Sequence, residues 1–134
     1  MNPIVPTLQL DLGSNLNPED IEEGDDVYFE CKVHANPAAY KVIWKHNHQI
    51  IQHNQRAGVI VSSGDLALQG VTRHQAGNYT CTASNVEGDG DSNVVELKVM
   101  CKYIRSVNNK INEALSLTEA AIVVAAVVVV VVEW

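Results

Sequence analysis

A chain of 134 residues holds one domain of about 100 residues with a segment left over. Nine Lys and Arg against 16 Asp and Glu give a net charge of −7. No basic stripe is present to neutralise phosphates, which excludes nucleic acid as a partner.

In chain order, Met1-Asn2-Pro3-Ile4-Val5-Pro6 has neither a basic n-region nor an apolar h-region, so no secretory signal peptide is read there. Residues 1–16 are expected to be extended: Pro3 and Pro6 forbid helix, and Thr7-Leu8-Gln9-Leu10 alternates like a short edge strand before Gly13. The acidic run Asn17 to Asp26 reads as a solvated connection with Gly24 supplying the turn. A linear run of carboxylates does not show the convergence on one point that calcium requires.

Alternation then marks strand after strand. Val27, Phe29, Cys31 and Val33 are inward against Tyr28, Glu30 and Lys32. His34 to Ala39 is expected to be a loop, and Lys41 to Lys45 a strand with Val42 and Trp44 inward and Ile43 outward. His46 to Gln49 turns the chain into a segment around Ile50 and Ile51. Val59 to Val61 is a strand, followed by one with Leu66 and Leu68 as its inward pair. From Asn78 to Thr82, Tyr79 and Cys81 face one way and Asn78, Thr80 and Thr82 the other. Asn85 to Asp91 is expected to be a hairpin turn, and Val94 to Val99 the last strand.

Residues 101–134 change character. Ala120 to Val132 is an apolar block of 13 residues ending in six valines, short of the roughly 20 a helix needs to cross a bilayer. Three readings stand for this low-complexity, Val-rich tail, which is expected to be disordered or weakly helical: a non-native or mis-predicted extension, a weak membrane anchor, or an aggregation-prone strand. The domain is therefore expected over residues 1–100, with residues 101–134 as the tail.

The candidate chemistry is sparse. Asn78-Tyr79-Thr80 is an N-glycosylation sequon, placing a glycan on the outward face of its strand. His46 and His48 are two apart, a spacing at which a strand puts both on one face, but no third or fourth ligand accompanies them, so exposed loop histidines are expected and no metal. No serine elbow, activated nucleophile or cofactor motif is present, so neither catalysis, a cofactor nor a small-molecule substrate is expected. Ile43, Ile50, Thr82 and Val94 fall on one outward sheet face, a candidate binding patch flanked by Lys45, Glu96 and Lys98.

Cys31, Trp44 thirteen residues later, and Gly77-Asn78-Tyr79-Thr80-Cys81 ending fifty residues after Cys31 resemble the signature of an I-set immunoglobulin-like domain. The resemblance, with Leu66 and Asn85…Gly88, implies an all-β, two-sheet Greek-key sandwich. It also implies that Cys31 and Cys81 form an inter-sheet disulfide packed on Trp44, with the Tyr79 hydroxyl pinning a corner. Such a bond implies an oxidising compartment, so the chain is expected to be an internal piece of a longer extracellular protein, or a gene model begun at an internal Met. The family usually has Asp where Gln75 stands, so its salt bridge to a basic residue such as Arg56 is replaced by a hydrogen bond at most.

More narrowly, Asn17 to Cys31 and Ala35-Asn36-Pro37 through Trp44-Lys45-His46-Asn47 are similar to a domain of the Sidestep family, insect neuronal cell-surface proteins. That resemblance implies axon guidance through a Beaten-path-type immunoglobulin receptor on another cell. Membrane contact would then come through the parent protein or, weakly, the tail. The alternative is a structural I-set domain of an intracellular filament.

Overall fold

The computed structural model describes residues 2–101 and residue 110; the expectations for the tail fall outside the described residues apart from Cys101 and Lys110. The sandwich forms one compact unit, Met1–Val99. Nine strands build it: β1 (Ile4–Leu12), β2 (Val27–Asn36), β3 (Lys41–His46), β4 (Gln49–Ile50), β5 (Val59–Val61), β6 (Asp65–Leu68), β7 (Gly77–Asn85), β8 (Gly88–Asp91) and β9 (Val95–Leu97). One antiparallel sheet runs β1-β2-β6-β5; the other runs β4-β3-β7-β8, with β9 also paired to β7.

Alternation does what it should at the centre. Val27, Phe29 and Cys31 from β2, Leu66 and Leu68 from β6, Trp44 from β3, and Tyr79 and Cys81 from β7 are all buried in one apolar cluster. Cys31 and Cys81 are bonded, Sγ–Sγ 2.06 Å. Trp44 is the cross-strand partner of Cys81. The indole N–H donates to the Ser62 carbonyl at 3.1 Å, so the largest core side chain leaves no buried donor unpaired.

Three boundaries differ from the sequence reading. The loop expected to begin at His34 begins later, because β2 continues to Asn36 in register with β1, His34 opposite Thr7 and Asn36 opposite Ile4. Gly88 to Asp91, expected within a turn, is strand β8, and the turn is only Val86-Glu87, closed by the Asn85–Gly88 pair. Glycine and aspartate are poor strand formers, but here the glycines are needed for space. A Cβ on Gly90 would lie 1.9 Å from the Pro6 carbonyl oxygen, so β1 can cross β8 only over a bare backbone.

The last strand, expected over Val94 to Val99, is β9 over Val95–Leu97, shorter at both ends and separated from β8 by a break. Thr82 pairs with Asp91 and Tyr79 with Val95, three steps along β7 against four along its partner. The extra residue makes a bulge at Ser92-Asn93. There the Ser92 N–H donates to the Cys81 carbonyl, and the Cys81 N–H donates to Ser92 Oγ, both at 2.9 Å. The acidic connection before β2 is also less free than expected. Ile21 is 3 % exposed within it, and Asp26 accepts from the Gly70 N–H.

Candidate recognition face

The outward surface of the β4-β3-β7-β8 sheet collects the residues singled out above. Cross-strand pairing sets them in rows: Lys41, Ser84 and Asp89; then Ile43, Thr82 and Asp91; then Ile50, Lys45 and Thr80; then Asn78 and Glu96. Ile50 and Val94 are 61 % and 59 % exposed, whereas Ile43 is half-buried. Thr82 is 8 % exposed, its hydroxyl donating to Asp91 at 2.6 Å, so it forms the floor of the face rather than a point of contact. Strand alternation gives the direction of a side chain but not the size of its neighbours, which is why Thr82 looked accessible in sequence.

One end of the face is held by a corner. The Tyr79 hydroxyl donates to the Gln75 carbonyl at 2.5 Å. Burial pushes the Tyr79 ionisation well above the ordinary tyrosine value, since an anion there would lose its water. Gln75 bonds elsewhere than to Arg56: its side-chain oxygen accepts the Thr72 N–H at 2.9 Å, closing the turn that presents the carbonyl to Tyr79.

His46 is not an exposed loop histidine. Its ring stacks on Tyr79, centroids 4.5 Å apart, as Phe29 does at 4.7 Å, and its Nε2–H donates to the Ala76 carbonyl at 2.8 Å. The His46/His48 pairing on one face does not form, because β3 ends at His46 and the chain turns through Asn47 and His48 at φ 50° and 71°. Gly77, at φ 135°, is obligatory beside this turn, since a Cβ would meet both Asn47 and His46.

Asn78 is exposed, while its backbone is clamped by Asn47: the Asn47 N–H donates to the Asn78 carbonyl at 2.8 Å, and the Asn78 N–H to Asn47 Oδ1 at 2.9 Å. The sequon thus presents its amide from a fixed frame.

At the opposite end, Asn85 entered the sequence reading only as the start of a turn and as part of the family resemblance. It is 3 % exposed. Its amide donates to the carbonyls of Ile4 and Pro37, at 2.8 and 3.0 Å, and its oxygen accepts the Glu87 N–H at 2.9 Å. One side chain ties together β1, the loop before β3 and the β7–β8 turn. An Asn ending a long apolar-facing strand was the available signal.

Among the described residues no group of three or more His, Cys, Asp or Glu converges to hold a metal, and no helix is long and apolar enough to cross a membrane.

Residues 12–85 match the immunoglobulin domain family. The chain is similar to contactin-6 of Mus musculus, 36% identical over 72 residues, which is 54% of this chain but 7% of that protein. Among solved structures it resembles the N-terminal Ig1-2 module of the Drosophila receptor protein tyrosine phosphatase DLAR, at TM-score 0.54 and 26% identity over 60% of this chain and 40% of that one. It also resembles an I-band fragment of titin, at TM-score 0.58 and 27% identity over 75% of this chain and 34% of that one. The matched region is thus a small part of much longer curated relatives.

Proposed function

We propose, for a chain that belongs to the immunoglobulin domain family, an extracellular protein–protein recognition module of the cell-adhesion and axon-guidance type. It would work at the cell surface as part of a longer membrane protein. The observation that carries this reading is the buried Cys31–Cys81 disulfide, because such a bond is made and kept in an oxidising compartment. Likeness to the N-terminal Ig1-2 module of the receptor DLAR supports it, as does the exposed sequon at Asn78.

The partner is another cell-surface protein, and the Sidestep resemblance in residues 17–31 and 35–47 points to a Beaten-path-type immunoglobulin receptor. The contact surface is the sheet face bearing Ile43, Ile50 and Val94, with Thr82 as floor and a glycan on Asn78 at one end. Its role is binding rather than catalysis. A structural domain of an intracellular filament is the rival, and the titin likeness favours it.

The full chain secreted from insect cells tests the proposal. Mass spectrometry without reduction is expected to find Cys31 and Cys81 bonded and Asn78 glycosylated. An immobilised Beaten-path-type ectodomain is expected to capture the chain but not its Ile50→Asp variant. Free thiols and a bare Asn78 in protein from native tissue would favour the filament reading instead.

A further inference from the structure

We infer that the end of β2 is an open strand edge that pairs with an extended peptide segment of a partner protein, one carrying a small or β-branched apolar residue at every second position. The edge belongs to the β1-β2-β6-β5 sheet, so the inference goes beyond the recognition face on the other sheet and does not rest on it.

In an antiparallel ladder the main-chain groups of successive residues point to alternate sides. Even-numbered residues of β2 serve β1: the Tyr28 carbonyl accepts the Gly13 N–H at 2.9 Å. Odd-numbered ones serve β6, and the Cys31 N–H donates to the Gly64 carbonyl, also at 2.9 Å. There the partner strand stops. β6 begins at Asp65, opposite Glu30, whereas β2 runs on to Asn36. The N–H and C=O groups of Val33 and Ala35 therefore point along the line of β6 with no strand beside them, and among the described residues they meet no donor or acceptor there.

Other rims of this sheet are covered. On β5, Val59 exchanges both bonds with Asn54, and the Val61 N–H donates to His53 Nδ1 at 3.1 Å. On β1, Asn93 holds both main-chain groups of Leu10. Covers of this kind keep an edge from pairing with another chain; the end of β2 has none.

The open edge borders a slot of about 280 Å³ with apolar walls. Val33 and Ala35 line one side, Ala39 and Val42 the other, with Cys31 and Ser63-Gly64 at the end toward β6. The volume falls below the roughly 300–1,000 Å³ of pockets that enclose a whole small molecule. Unpaired donors and acceptors at strand spacing are met instead by another extended backbone. Running antiparallel to β2, such a segment makes up to about four main-chain bonds with Val33 and Ala35. Its side chains opposite those two residues share their face and enter the slot, while the alternate ones face solvent. Walls of alanine and valine leave room for small or β-branched apolar groups.

NMR on the full chain, made in a bacterial periplasm so that the disulfide forms, tests this with a blocked heptapeptide of alternating valine and threonine. Amide exchange at Val33 and Ala35 is expected to be fast in the free chain although both lie within a strand, and to slow by at least about tenfold in the complex. N-methylation of the peptide's valines, whose amides face β2, is expected to abolish binding, and N-methylation of its threonines to leave it intact. Ala35→Pro removes a donor of the open edge without touching the β1 ladder and is expected to weaken binding by at least about tenfold. Ala35→Ser, which keeps the donor, is expected to bind as the parent does. No binding at millimolar peptide, slow exchange at both amides without peptide, or equal loss with either methylated peptide would overturn the inference. So would peptide-induced shifts confined to the Ile50 face. The Ile50→Asp variant is expected to bind the peptide normally, and Ala35→Pro to be captured normally by the receptor ectodomain, so failure of one reading leaves the other standing.

Discussion

On one flank of β7, β3 pairs residue for residue from His46 opposite Tyr79 to Lys41 opposite Ser84. On the other flank, β8 and β9 pair in two pieces with a bulge between them. The regular flank is held by main-chain bonds and by Trp44 packed beside the disulfide. The broken flank depends on side chains. Ser92 restores the bond that Cys81 would otherwise lose. Asn93, re-aimed by the bulge, accepts the Leu10 N–H at 2.8 Å and donates to the Leu10 carbonyl at 2.9 Å. An amide side chain thus stands in for a neighbouring strand, fastening β1 across the gap. The difference shows two ways of satisfying the same buried backbone: a periodic one that costs no special residues, and an irregular one that needs particular polar residues at particular positions.

Mutations on each flank would break that comparison, beginning with the largest effect. Trp44→Ala on the regular flank empties a fully buried site and is expected to cost about 3–5 kcal/mol, measured by denaturant unfolding. An unchanged midpoint would show that the indole does not hold the two sheets. Asn93→Ala on the broken flank strips both main-chain partners from buried Leu10 and is expected to cost about 2–3 kcal/mol. Hydrogen exchange sharpens this case: the Leu10 amide should lose protection while amides of β3 keep theirs. Equal loss on both flanks would mean that β1 is not separately fastened.

The smallest effect lies at the corner, where both flanks end. Tyr79→Phe leaves the Gln75 carbonyl without its donor, for about 1 kcal/mol at neutral pH. It also has a signature in alkali. Burial raises the Tyr79 ionisation in the folded state above its ordinary value of 10.0, so the contribution of the protonated phenol is complete below that pH. It is lost as pH rises beyond it, because the unfolded chain releases the proton first. The parent is therefore expected to lose stability above about pH 10 more steeply than Tyr79→Phe, followed by thermal melts across that range. Parallel curves would place the phenol outside the corner.

How much of this was legible follows from the two flanks. Val27, Phe29, Cys31, Leu66, Leu68, Tyr79 and Cys81 could be assigned inward because a strand repeats every two residues and the core selects one phase. The outward positions of Ile43, Ile50 and Asn78 came from the same rule. Strand β8 was not legible, since Gly88-Asp89-Gly90-Asp91 carries turn composition and the space that Gly90 leaves is filled by Pro6, some eighty residues earlier. Asn85 and Asn93 were illegible for a related reason. An asparagine in sequence offers one donor group and one acceptor anywhere, and the approach of β1 gives each of these a partner far away in the chain. His46 was read as exposed because its stack with Tyr79 joins residues thirty-three apart.

The sequence by itself determined the sandwich, its inward residues and the cysteines that bridge it, because periodic burial and the signature around Tyr79 and Cys81 are local in the chain. The tertiary structure decided where the last strand breaks, which polar side chains replace missing backbone partners, and that β2 runs on past the start of β6. Those outcomes depend on which strands become neighbours and in what register, and pairing between distant segments is the property that no single stretch of chain contains.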